Sequence, residues 1–257
     1  KTLKAKTLRD RPHLAERLCE EARFAATIDH PSIVRVFDVT HSPRLTYIVM
    51  EYIEGHSLHE EIRSLGCLPL AQAIAVCRQT AIGLQAALER GLIHRDIKPA
   101  NLLLAKGGGL KIVDLGLARP VGDAGQGTDT VVGTPEYMAP EQALDPDSAD
   151  FRADIYGLGI TLFHAVTGDV PFTDPDPLGV IRKLLTCRMP LASERAPDCP
   201  EEVTRLIEWM TAREPERRPA SYAQLVEALD ELSASLRLDQ SLPAEAFSPL
   251  SSATQRG

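Results

Sequence analysis

Paired cysteines, surplus positive charge, long apolar runs and a glycine-rich phosphate loop are all missing from this 257-residue chain. Cys19, Cys67, Cys77, Cys187 and Cys199 are scattered, with no C-x-x-C pair. Their odd number and spread point to reduced thiols in a cytosol-like compartment rather than a disulfide framework. Cys67 reads as a small hydrophobe rather than a reactive thiol. Lys and Arg number 28 against 36 Asp and Glu, a formal net charge of −8, and that sign argues against a nucleic-acid or anionic-membrane surface. No stretch approaches the roughly 20 apolar residues of a membrane helix, and no signal peptide opens the chain. The first residue is Lys1 rather than Met, so the chain reads as a fragment or processed product, with any anchor outside it. No G-x-G-x-x-G occurs: Gly122, Gly125 and Gly127 have the wrong spacing, and Gly107-Gly108-Gly109 opens a strand rather than a helix. Internal repeats are absent as well.

What is present is enough apolar sequence, 44% of residues, to bury a full core. Around one stretch, Ile93-His94-Arg95-Asp96-Ile97-Lys98-Pro99-Ala100-Asn101, the rest is organised, with Asp114-Leu115-Gly116 following. Leu102-Leu103-Leu104 and Leu110-Lys111-Ile112-Val113 flank the three glycines and read as two short strands joined by a tight turn. Such a hairpin holds Asn101 at its entry and Asp114 at its exit on one edge. An amide oxygen and a carboxylate there are hard ligands suited to Mg²⁺, which commonly also binds substrate phosphates. Asp96 is then a candidate proton acceptor, and Lys98 a positive charge for a transferring phosphoryl group.

This arrangement resembles the protein-kinase catalytic loop H-R-D-x-x-x-x-N followed by D-F-G, which here reads D-L-G. Ala139-Pro140-Glu141 follows at kinase spacing. The resemblance covers residues 1–236 and implies a two-lobed α+β fold. Residues 1–53 would form a partial small lobe and hinge, 54–236 the helical lobe, and 237–257, rich in Ser, Ala and Pro, a linker or disordered tail. The family's first two strands and glycine loop are expected to be missing, the chain opening at the third-strand lysine. ATP and Mg²⁺ are the implied cofactors. Asp96 is the implied base, Lys98 stabilises the γ-phosphoryl, and Asn101 and Asp114 hold the metal. Lys1, fixed by Glu21, would contact the phosphates, with Lys4 and Glu20 as alternatives. Met50 as gatekeeper, Glu51, Ile53 and Leu103 complete the nucleotide site. Thr134 in G-T-P-E-Y belongs to the peptide wall. Glu141 would pair with Arg218, and Asp154 would brace the catalytic-loop backbone. Arg95 and Arg119 would form a basic pocket for phosphorylated Thr128 or Thr130 in a Gly-, Asp- and Thr-rich loop.

Lys98 with Thr134 resembles the serine/threonine class, and His30-Pro31-Ser32-Ile33-Val34-Arg35 with Ile48 to Gly55 resembles bacterial members. The implied partners are proteins bearing Ser or Thr and a second copy for autophosphorylation; nucleic acid and membrane are not among them, and the implied location is cytoplasmic. Two rivals are a pseudokinase or docking module and a small-molecule kinase, which would not carry G-T-P-E-Y-M-A-P-E. Against the first, intact Asp96, Asn101 and Asp114 argue for the parent protein, although this chain alone, without the glycine loop, is expected to be inactive. Periodicity adds a helix over 13–28, strands over 33–39 and 45–51, a helix start at Ser57, and long helices opened by Pro69, Asp154 and Ser221. His56 and His59 read as a solvated helix start rather than metal ligands.

Overall fold

A computed structural model describes residues 2–3, 22–23, 25–41, 46–114, 119–120, 135–146, 148–239 and 242. Strands β1 (Thr2–Leu3), β2 (Val36–His41) and β3 (Thr46–Met50) form an antiparallel sheet in the order β1-β3-β2. A bulge between Val36 and Asp38 kinks β2 against β3. The expected helix over 13–28 is described only at Ala22, Arg23 and Ala25. Ala26 and Thr27 already turn, short of Ile28.

The strand expected over 33–39 is split between two partners. Ile33 makes an isolated parallel bridge to Ile112, Val34 N donates to Ile112 O (2.9 Å), and Ile112 N donates to Ser32 O (2.8 Å). Only from Val36 does the chain join the small sheet. Alternation marks both halves as extended, but it carries no information about which strand each half will pair with.

The second sheet runs β4-β6-β7, from β4 (Gly55–Ser57), β6 (Leu102–Ala105) and β7 (Leu110–Ile112). Its turn uses Gly107, Gly108 and Gly109, all at φ between 92 and 97°, where a side chain would be strained and glycine is not. Leu102 and Leu104 point into the core, and Leu103 lies half-buried on the other face. Strand β5 (Leu92–Ile93) pairs with β8 (Arg119–Pro120).

The helical lobe starts at α1 (Leu58–Leu65), where the Ser57 hydroxyl accepts from Glu60 N and the Glu60 carboxylate accepts from Ser57 N, a reciprocal cap. Helix α2 (Leu70–Glu89) follows Pro69 and ends before Gly91 at φ 76°. Then come α3 (Pro140–Leu144), α4 (Arg152–Thr167), α5 (Pro177–Thr186), α6 (Ala192–Arg195), α7 (Glu201–Met210) and α8 (Tyr222–Leu236). Helix α4 is buried on every side from Ala153 to Ala165, as an all-round apolar sequence requires. Helix α2 packs against both α8 and α4, and their shared core includes Ile74, Leu84, Ile155, Leu158, Leu225 and Leu229. Leu242 joins it at 8% exposure. Cys77 is buried whereas Cys67 is exposed, so Cys67 contributes nothing to the core. Among the described residues no helix is long and apolar enough to cross a membrane.

Candidate active site

β5 delivers the chain into the core, where His94 is still buried, and it first emerges at Arg95. There the backbone is held by a carboxylate from 60 residues away: His94 N donates to Asp154 Oδ2 at 2.8 Å and Arg95 N to Asp154 Oδ1 at 2.6 Å. The Tyr222 hydroxyl donates to the same Oδ2 at 3.3 Å. Burial raises the Asp154 pKa above the usual carboxyl value, against the pull of His94 and of these donors. These bonds offset the cost of burying a carboxylate, and they hold Arg95 at φ 66°, a left-handed conformation costly for a long side chain.

His94, fully buried, links the two halves of the site. Its Nδ1 accepts from Asp96 N at 3.3 Å, which makes Nε2 the protonated nitrogen that donates to Val113 O at 3.1 Å. One imidazole thereby sets the distance between the Asp96 backbone and the residue before Asp114. Val113 N donates to Asn101 O at 2.9 Å, so the hairpin brings Asn101 and Asp114 side by side. Asp114 itself has φ 69°, a region that Asp tolerates better than most residues.

The side chains converge on Asp96. Asn101 Nδ2 donates to Asp96 O at 2.7 Å and to Asp96 Oδ2 at 3.0 Å, and Lys98 Nζ lies 2.7 Å from the same Oδ2. Asp96 and Lys98 are only 12% and 18% exposed, so solvent screens their attraction weakly. With its nitrogen on Asp96, the Asn101 amide retains its oxygen as the atom a cation can use. Among the described residues no group of three His, Cys, Asp or Glu side chains could enclose a metal. One carboxylate plus one amide oxygen instead suits Mg²⁺, which keeps waters and substrate phosphates in its shell.

At the hinge, Met50 ends β3 and packs against the core. Glu51 N donates to Arg35 O (2.8 Å), and the Glu51 carboxylate meets Lys111 Nζ of β7 at 2.8 Å and Arg35 N at 3.2 Å. The Lys111 ammonium holds the Glu51 carboxyl below its ordinary pKa. Ile53 is half-buried and Tyr52 is 88% exposed.

Below the catalytic loop, Arg218 grips Glu141 with two bonds of 2.6 and 2.7 Å, and its guanidinium sits 4.9 Å from the centre of the Tyr156 ring. Gln142 accepts from Ala139 N and donates to Arg95 O, each at 3.0 Å. The Arg95 guanidinium donates to Ala149 O at 3.0 Å and Pro146 O at 3.3 Å. Arg119 faces Ile93 across the β5–β8 pair, its backbone alone being described. Lys1, Glu21, Thr128, Thr130 and Thr134 lie outside the described residues.

Sequence reading missed the roles of His94, Lys111, Gln142 and Tyr222. The place of His94 inside H-R-D was the one available signal. The other three act through partners from 47 to 68 residues distant, which no local pattern reports. His56 also differs from the solvated reading, since its Nε2 lies 2.7 Å from the buried Glu61 carboxylate.

A family model described as Protein kinase domain matches residues 1–229. Serine/threonine-protein kinase PknB of Mycobacterium leprae (strain TN) is 40% identical over 186 residues, covering 70% of this chain and 30% of that protein. The PknB of Mycolicibacterium smegmatis is 34% identical over 232 residues, 88% of this chain and 37% of that protein. PknL of Mycobacterium tuberculosis (strain CDC 1551 / Oshkosh) is 35% identical over 221 residues, 86% and 55% respectively. The chain thus spans between 30% and 55% of the length of these curated relatives. With the loop around Asp96 and a match over nearly the whole helical lobe, the chain belongs to the protein kinase family.

Proposed function

We propose that this chain transfers the γ-phosphate of ATP to serine and threonine hydroxyls of protein substrates. The observation that carries the reading is the convergence of Lys98 and Asn101 on Asp96, beside Asp114. The Asp96 carboxylate orients the substrate hydroxyl and accepts its proton as the oxygen–phosphorus bond forms and the bond to the leaving ADP oxygen breaks. Lys98, already against Asp96, spreads its charge over the transferring phosphoryl oxygens. Asn101 and Asp114 would hold Mg²⁺, which supplies charge neutralisation on the phosphates when bound. Lys1 with Glu21 is proposed to reach the α- and β-phosphates, and the backbone at Glu51 and Ile53, with Met50 and Leu103, to receive the adenine. The names of the relatives support serine and threonine as acceptors. Phosphorylation of Thr128 or Thr130 by a second copy, read by Arg95 and Arg119, is proposed as the switch, and Thr134 as part of the peptide wall. The free thiols among the described residues fit a cytosol-facing placement.

The test is phosphate transfer from labelled ATP by the intact protein, followed by phosphoamino-acid analysis. Phosphoserine and phosphothreonine are expected. Asp96→Asn should cut transfer by about 10²–10⁴-fold while ATP still binds, and Asp114→Asn should lose Mg²⁺-dependent ATP binding. Predominant phosphotyrosine, or the two variants exchanging phenotypes, would overturn the assignment.

A further inference from the structure

Helix α4 touches the site at two levels. Near its start Asp154 fixes the catalytic-loop amides. Three turns later, His164 Nδ1 lies 2.7 Å from the hydroxyl of Tyr137, the last residue of the 3-10 turn Pro135–Tyr137. Between them the helix approaches both segments through Gly157, where an added Cβ would stand 2.9 Å from Ile97 O and 3.4 Å from Tyr137 O. The helix, the catalytic loop and the turn are therefore in contact at one place.

The Tyr137–His164 pair is matched as donor and acceptor. Burial, with His59 adding to it and Asp169 opposing, lowers the His164 pKa, so the imidazole is neutral at physiological pH and one ring nitrogen can accept. Burial and the neighbouring Glu136 push the Tyr137 hydroxyl up, so it keeps its proton. The two rings lie 6.1 Å apart at 39°. His59 of α1, exposed, meets the His164 ring edge-on at 6.4 Å. His164 thus lies in contact with both α1 and the turn.

We propose that His164 is a positioning residue for the protein substrate: it accepts the Tyr137 hydroxyl and so holds the turn Pro135–Tyr137 at a fixed distance from Asp96. This rests on the kinase reading, in which that turn continues the peptide wall. Asp96, Lys98 and Asn101 form their cluster without Tyr137 or His164. Releasing the turn therefore loosens the seat of the peptide and leaves nucleotide binding and the chemical step in place. That pattern separates it from a residue needed only for folding.

The experiment is steady-state kinetics of the intact protein with a serine peptide and ATP, for wild type, Tyr137→Phe, His164→Leu, His164→Asn and the double variant Tyr137→Phe/His164→Leu. Tyr137→Phe and His164→Leu should raise the peptide KM about three- to tenfold, the range one hydrogen bond supplies. Their kcat and ATP KM should stay within about twofold. The double variant should match the single ones. His164→Asn, whose amide oxygen can accept from the phenol, should restore most of the peptide KM. Tyr137→Phe removes one oxygen and guards against misfolding of His164→Leu. An unchanged peptide KM in Tyr137→Phe, or equal losses in peptide KM, ATP KM and melting temperature, would overturn the proposal while wild type remains an active kinase. A wild type that phosphorylates no serine or threonine peptide would remove the kinase reading, and this proposal with it.

Discussion

At Arg218 the guanidinium has five N–H groups, and each has an acceptor. Nε donates to Ala212 O, Nη1 to Glu141 Oε1 and Arg152 O, and Nη2 to Glu141 Oε2 and Arg213 O. Its side chain is 0% exposed and that of Glu141 is 16% exposed. Removing one member of such a pair leaves a charge without compensation in a poorly solvated place, so Arg218→Met should destabilise the fold by about 3–5 kcal/mol in urea unfolding. Arg218→Lys should recover little, because one ammonium cannot reach the same acceptors. A loss below about 1 kcal/mol for Arg218→Met would contradict this account. The run Glu214-Pro215-Glu216-Arg217-Arg218-Pro219 made the ion pair legible beforehand. Neighbouring Arg217 is 77% exposed on its own side of the chain. The three carbonyls of Arg152, Ala212 and Arg213 were not legible, since backbone acceptors leave no mark in sequence.

At the level of elements, the hinge and β7 are tied by Lys111 and Glu51, which bridge β3 and the second sheet. Side-chain exposures of 20% and 31% place the pair near the surface, where it is worth about 0.2–1 kcal/mol. Its effect should therefore appear as mobility more than as stability. Lys111→Met should speed hydrogen exchange at residues 50–54 while exchange in α2 stays unchanged. Because the Glu51 pKa is lowered, the tie is present above the ordinary carboxyl value of 4.5 and is lost as pH falls below it. Exchange at the hinge that is equal in both proteins would remove Lys111 from this role. The hairpin of β6 and β7 could be read from sequence because three glycines force a turn between two apolar runs. Ser32 to Val34 could not, because these residues alternate like a strand of one sheet and hydrogen-bond to the other. The long helices were found because their apolar residues recur over many turns, while β4 comprises three residues, Gly55–Ser57, too few to show any period.

For the whole molecule, pH is the variable that acts on several buried and half-buried groups together. Burial lowers both His30 and His164. A histidine with a lowered folded pKa gives the unfolded chain the greater affinity for protons, so its share of stability is present above 6.5 and is lost as pH falls. Asp154, raised by burial, works in the opposite direction. A bare melting curve would mix the two. The difference between wild type and His164→Asn isolates the imidazole: from pH 7.5 to 5.5 wild type should lose melting temperature relative to the variant. A constant difference over that interval would show that His164 titrates normally. None of this was legible from composition, because a net charge of −8 counts His as neutral and says nothing about which histidines lie inside.

The bond between the catalytic loop and Asp154 also sets an order in time. A chain leaving the ribosome exposes His94 and Arg95 first, Asp154 some 60 residues later, and Tyr222 a further 68 residues after that. At about 5–20 residues per second, the nascent loop waits several seconds for the carboxylate that fixes it and about as long again for the hydroxyl that completes it. A ribosome-bound chain ending before Asp154 would carry Asp96, Lys98 and Asn101 without the scaffold that aligns them. By this order of assembly, the loop around Asp96 stays unaligned until the helical lobe is almost finished.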